Sequence, residues 1–230
     1  MTTEDLRAVL EGELAWRTED LLFFKNQIVN IAKDEDKDRY RKSLVMVLYS
    51  HLEGFIKMSL LSYVQFLNSL GLKRKDLNAN LVASSMEKEF KAYETKDIKC
   101  NVFKKKLPDD KTLHKFYRRV HFLESMEEFK DDVFELKDDV IDTESNLWYI
   151  VLQKNLFKVG LPVGLFSQYE KDIDALVNRR NSLSHGSSKN GIKSEEYNTW
   201  ERKTLFVMEE IIRQIYLHAR NEFYLKGSCS

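Results

Sequence analysis

Two prolines and eight glycines are all that punctuate this chain of 230 residues. Folds built of strands and tight turns use both types freely, so a sequence this short of them, and rich in Leu, Glu, Lys, Phe and Tyr, is directed toward helices. With 43% hydrophobic and 32% charged residues, the composition is globular rather than disordered, collagen-like or membrane-embedded. A chain of this size buries roughly 70% of its unfolded surface, enough for a packed core. The 37 basic and 37 acidic residues cancel, so the total advertises no polyanionic ligand and partners have to be argued from local sites.

Apolar spacing divides the chain. Thr2 or Thr3 caps a first helix, whose acidic opening turn leads into Leu6, Leu10, Leu14, Leu21, Phe24, Ile28 and Ile31 at near-helical intervals. The cluster Asp34-Glu35-Asp36-Lys37-Asp38 ends it. Leu44, Val47, Leu48, His51, Phe55 and Met58 then predict a second long helix, closed by Gly71 and antiparallel to the first. Over 73–142 the periodicity weakens. That stretch reads as a charged insertion with short helices near 81–94 and 112–129, a basic run Lys104-Lys105-Lys106 and a turn at Pro108-Asp109-Asp110; solvation is the usual role of such lysines. Thr143 is the expected N-cap of a helix carrying Leu147, Ile150, Val151 and Leu156, stopped by Gly160 and Pro162. Ser167-Gln168-Tyr169-Glu170 has the form of a capping box. The helix it opens runs through Ile173, Leu176, Val177 and Leu183 to Gly186, and after the loop 187–191 a last long helix carries Trp200, Leu205, Met208, Ile211, Ile212 and Ile215. The expected architecture is a single all-α helical bundle over 1–230 with antiparallel long helices.

Cys100 and Cys229 form no spaced pair and are expected to be reduced thiols in a cytoplasmic protein. The amino terminus lacks the basic and apolar segments of a secretory signal. The apolar stretch 43–72 is interrupted by His51, Glu53 and Lys57, which would be costly within a bilayer, so it reads as a soluble helix with no membrane partner.

Scattered histidines and unpaired cysteines give no metal-ligand spacing, and neither a phosphate-cradling glycine loop nor a nucleophile elbow occurs. No cofactor is implied. The stretch that stands out is Asn178-Arg179-Arg180-Asn181-Ser182-Leu183-Ser184-His185-Gly186. Arg180 and His185 are five apart, about 140° around an ideal helix, so they converge only if the helix loosens at its end. A left-handed Gly186 would unwind that end and let the imidazole swing beside the guanidinium. The unpaired carbonyls of a helix terminus favour an imidazole that donates a proton, and an Arg fork beside a titrating His suits a phosphodiester. Spacing alone is weak: Arg213 and His218 repeat it inside a continuing helix with no glycine after it, and read as accidental. A surface ion pair for Arg180 and a carbonyl-capping role for His185 remain the plain structural alternative.

At these residues the chain resembles the HEPN superfamily, small all-helical domains of which many are metal-independent ribonucleases. Arg180-Asn181-x-x-x-His185-Gly186 is similar to its Arg-Asn-x-x-x-His-Gly signature, and Glu53-Gly54-Phe55-Ile56-Lys57 is similar to the Glu-Gly-Phe-x-Lys helix of a prokaryotic branch associated with toxin and antiviral-defence systems. The resemblance covers roughly 40–70 and 144–220. It implies a homodimer in which the Arg and His of both protomers face one cleft, with Arg180 and His185 as the catalytic pair and Asn181 in support. RNA supplies its own nucleophile, the 2′-hydroxyl, so proton transfer by His185 and charge stabilisation by Arg180 suffice for cleavage. Glu53 either lines the same cleft or pairs with Lys57 one turn on. His51 lies on the apolar stripe of its helix and reads as a buried, hydrogen-bonded residue ahead of a catalytic one. Besides the RNA substrate, an antitoxin or defence-system protein is an expected partner. The alternative is a non-catalytic HEPN module that binds RNA or protein through the same cleft.

Overall fold

The structure, a computed structural model, describes residues 1–94, 100, 111–187 and 189–228. The basic run 104–106, the turn 108–110 and Cys229 lie outside the described residues. Eight α-helices are present among the described residues: α1 (Thr3–Asn26), α2 (Asp34–Ser69), α3 (Ala79–Ser85), α4 (Glu87–Glu94), α5 (Lys111–Asp131), α6 (Tyr149–Lys158), α7 (Glu170–Ser184) and α8 (Ser194–Arg220). The all-α expectation holds, and the only bridges between extended segments there are isolated ones, Lys73 with Val133 and Leu77 with Leu225.

Three long helices set the frame, and end contacts fix their directions. The Met1 ammonium donates to Ser69 Oγ at 3.3 Å, while the Tyr40 hydroxyl donates to Phe24 O at 2.8 Å. Those bonds tie opposite ends of α1 and α2 together, so the two are antiparallel. Lys193, just before α8, reaches Asp38 near the start of α2, and Asn78 N, beyond the end of α2, donates to Tyr224 O beyond α8; α8 therefore runs parallel to α2. The antiparallel α7 packs on both. Between them Leu6, Leu10, Leu48, Leu52, Phe55, Leu60, Met208 and Ile211 are fully buried. By length and apolar content α2 could cross a membrane, but here its apolar surface is covered by α1, α7 and α8.

Several helix boundaries differ from the sequence reading, each for a local reason. Thr2 does cap α1, in a reciprocal capping box with Asp5. The α-helix ends at Asn26, and a 3-10 turn carries the chain to Asn30. The acidic cluster does not end α1. Asp34, Glu35 and Asp36 form the first turn of α2, where carboxylates complement the exposed amides of a helix start. The helix expected over 81–94 breaks at Met86 into α3 and α4. No capping box forms at Ser167, because Phe166 is buried with φ +66° and its neighbours make a 3-10 turn, so α7 starts only at Glu170. Nor does Thr143 cap α6, which starts at Tyr149.

The chain leaves α2 and returns at one place. Arg74 N donates to Asp132 O and Phe134 N to Leu72 O. Arg74 itself is buried and joins the excursion to the bundle: its guanidinium donates to Glu89, Asp132, Ser85 and the Phe129 carbonyl.

The loop after α7 is pinned to α2 through Asp38. Ile192 N donates to Asp38 O at 2.8 Å, Arg41 and Lys193 pair with the Asp38 carboxylate, and both cations hold it below the usual carboxylate range. Gly191 makes this approach possible, since a Cβ there would sit 2.5 Å from Asp38 Cβ and 2.9 Å from its backbone carbon. Neither atom can move without shifting α2. Gly191→Ala should therefore cost about 1–3 kcal/mol, read as a lower denaturation midpoint with an unchanged slope.

Candidate functional site

Arg180, on the last full turn of α7, leans across α2 with its guanidinium carbon 4.9 Å from the centre of the Tyr49 ring. One nitrogen, Nη1, donates to two amide oxygens: Asn181 Oδ1 at 2.8 Å and Asn146 Oδ1 at 3.1 Å. Nε and Nη2 find no acceptor among the described residues. The guanidinium is thus held along one edge and on one face, with a two-donor edge left over, the edge that matches two oxygens of a carboxylate or phosphate.

Tyr49 is buried, and its hydroxyl accepts from Leu147 N at 2.8 Å. Burial above all, with the adjacent Glu53 carboxylate adding and the Leu147 amide and Arg180 opposing, leaves the phenol pushed up to about 12. A phenol so raised stays protonated at neutral pH, a neutral floor for the guanidinium rather than a base. Glu53 follows Tyr49 by one turn of α2 and faces the same hydroxyl. No Glu53–Lys57 ion pair forms among the described residues, and the carboxylate lies beside the Tyr49 hydroxyl.

Asn146 comes from the loop between the excursion and α6. Its two preceding residues, Glu144 (φ +50°) and Ser145 (φ +65°), are both left-handed without being glycine, at a cost of about 1–2 kcal/mol each. The surroundings enforce this geometry. Glu144 N donates to Asp142 Oδ1, buried Asn155 bonds Asp142 on both sides, and Tyr149 N donates to Asp174 Oδ1 of α7 at 2.8 Å. That last bond replaces the expected cap: a carboxylate from a neighbouring helix satisfies the first amide of α6.

Gly186 is left-handed as expected, with φ +67°, but it does not loosen the helix. Gly186 N donates to Leu183 O and Ser187 N to Ser182 O, the paired bonds of a Schellman motif, and the Ser187 hydroxyl adds a bond to Ser182 O. His185 is the last residue before this turn, with its amide on Asn181 O at 3.0 Å. It is exposed, and no hydrogen bond joins it to Arg180. The tight end keeps the two side chains on the different azimuths that an unbroken helix gives them.

His51 is buried on the far side of α2. Its Nε2 lies 2.8 Å from Asp20 and its Nδ1 3.5 Å from Arg17, with the Trp16 ring edge-on. It belongs to the α1–α2 seam, away from Arg180. Gly54 serves that seam too: a Cβ there would stand 3.1 Å from Arg17 Nη1. The repeated spacing at Arg213 and His218 is accidental as read. Arg213 is an exposed partner of Glu210, while His218 is buried against Phe223 and held below the ordinary imidazole range by desolvation.

Among the described residues no three His, Cys, Asp or Glu side chains cluster as metal ligands would. The structure thus gathers Arg180, Asn181, Glu53, Tyr49 and Asn146, and leaves His185 one turn away and His51 elsewhere. Tyr49 lies one turn before the second sequence motif, on the same helix, and carries no role in the sequence reading; only the polar run 142–146 hints at Asn146.

The chain belongs to the HEPN family described as RiboL-PSP-HEPN, whose model matches residues 13–217. No curated protein and no solved structure matches it. Tyr49→Phe keeps the ring but leaves the buried Leu147 amide without an acceptor; it should lower unfolding free energy by about 1–3 kcal/mol, measured by chemical denaturation.

Proposed function

We propose that the protein is a metal-independent endoribonuclease, acting as a homodimer in toxin or antiviral-defence systems. The observation that carries this reading is the Arg180 guanidinium, fixed by two amide oxygens over Tyr49, with two nitrogens uncommitted among the described residues. A phosphodiester placed on that edge gains two charge-assisted bonds, and they strengthen as charge builds in the transition state. His185 transfers the proton: a base for the 2′-hydroxyl, or an acid for the departing 5′-oxygen. The new bond joins the 2′-oxygen to phosphorus and the broken one frees the 5′-oxygen, so the products end in a 2′,3′-cyclic phosphate and a 5′-hydroxyl.

Arg180 and His185 sit on different azimuths of one tight helix end, so the pair that works on one phosphate is drawn from two chains across a two-fold axis. Asn181 supports the Arg, and Glu53 tunes its surroundings through Tyr49. The same separation favours a second reading, a binding module that holds RNA or a protein without cleaving it.

Cleavage of RNA in excess chelator separates the two. The ribonuclease reading expects activity to persist, Arg180→Ala to lower it by about 10²–10³-fold and His185→Ala by about 10²–10⁴-fold, with cyclic-phosphate ends. Loss of activity in chelator, or full activity in both variants, would remove the mechanism. Binding without cleavage would establish the module. RNA affinity should fall moderately with salt, as expected of a site with few phosphate contacts, one of whose nearby cations, Lys193, is already paired with Asp38; a binding titration across salt concentrations reads the slope.

A further inference from the structure

We infer that Asn146 is a positioning residue for Arg180, and that the loop 142–149 exists in its left-handed form to hold it there. The inference rests on the ribonuclease reading of Arg180 and deepens it.

A guanidinium tethered only by Asn181, its neighbour in the chain, would move with its own helix and remain free to turn about its long side chain. Asn146 adds a tether from a separate element, 34 residues back, on the same Nη1. Two acceptors at one nitrogen use both of its hydrogens, which fixes the plane of the guanidinium and points Nε and Nη2 away from the protein amides. The loop is held to both elements of the site. Leu147 N, the next residue, bonds the Tyr49 hydroxyl on α2; Tyr149 N bonds Asp174 on α7. So the residue that supplies the second tether is set by bonds to the floor beneath the guanidinium and to the helix that carries it. Asn146 itself closes the turn, its amide donating to Thr143 O and its carbonyl accepting from Trp148 N. A loop needed only to connect two helices has no use for two consecutive left-handed residues without a glycine; one that must aim a side chain at a fixed cation does. An amide at this position accepts without carrying charge, leaving the guanidinium's positive charge for the phosphate.

The distinguishing experiment uses the full-length protein and reads Arg180 directly. The Nη1–H resonances of Arg180, assigned by their loss in Arg180→Lys, should exchange slowly with water in the wild type and about tenfold faster in Asn146→Ala, the worth of one hydrogen bond to a charged group. Unchanged exchange overturns the inference, whatever the protein does to RNA. In cleavage assays Asn146→Ala should lower kcat by about tenfold with little change in KM, and should add nothing in an Arg180→Ala background. Asn146→Asp, which keeps the acceptor but adds a charge, should keep Arg180 ordered yet weaken binding of a 2′-O-methyl RNA oligonucleotide. If Asn146→Ala and Arg180→Ala lower cleavage independently, the coupling is absent and the inference fails. If wild type neither binds nor cleaves RNA, the ribonuclease reading fails, while the Arg180 resonance still decides the positioning role.

Discussion

One nitrogen of Arg180 shared by two amide oxygens is the interaction on which the site depends. It converts a long, flexible cation into a fixed one, and it does so with uncharged partners. An acid in place of either asparagine would neutralise the guanidinium, and water would leave it free to turn. The buried ring of Tyr49 completes the restraint, since desolvation keeps its phenol neutral and its face open to the cation.

The bundle is arranged to bring these pieces together. Parallel α2 and α8 with antiparallel α1 and α7 place the end of α7 beside the early turns of α2. Asp38 holds the following loop against α2, at a contact so close that only glycine fits at 191. Because that loop is clamped and the helix end is closed by paired turn bonds, His185 is displayed outward on a rigid mount. In the proposed ribonuclease, such a mount would let His185 meet RNA or a second chain from outside.

The long helices were legible in the sequence because burial on one face leaves a repeat of three and four, and no other demand competes with it in α1, α2 and α8. Helix ends were less legible. At Ser167 and Thr143 the local capping signals were outcompeted by tertiary partners, the burial of Phe166 in one case and Asp174 reaching across from α7 in the other. The site was half legible. Arg180, Asn181 and His185 announce themselves through their spacing and the glycine that follows. Tyr49 and Asn146 do not, because their parts depend on three elements meeting in space, and nothing in a polar run such as 142–146 states which side chain will turn inward. Gly186 shows how a correct conformation can support the wrong consequence: left-handed backbone was foreseen, but it seals the helix end where unwinding had been expected.

The most direct test of the account uses two inactive chains. Arg180→Ala and His185→Ala, co-expressed with different tags and purified through both, would form heterodimers in which one protomer's Arg180 faces the other's His185. Sharing across a two-fold axis leaves one of two sites complete, so RNA cleavage should return to about half of the wild-type level. Recovery of no activity in that mixed dimer, or failure of the two chains to associate at all, would contradict it.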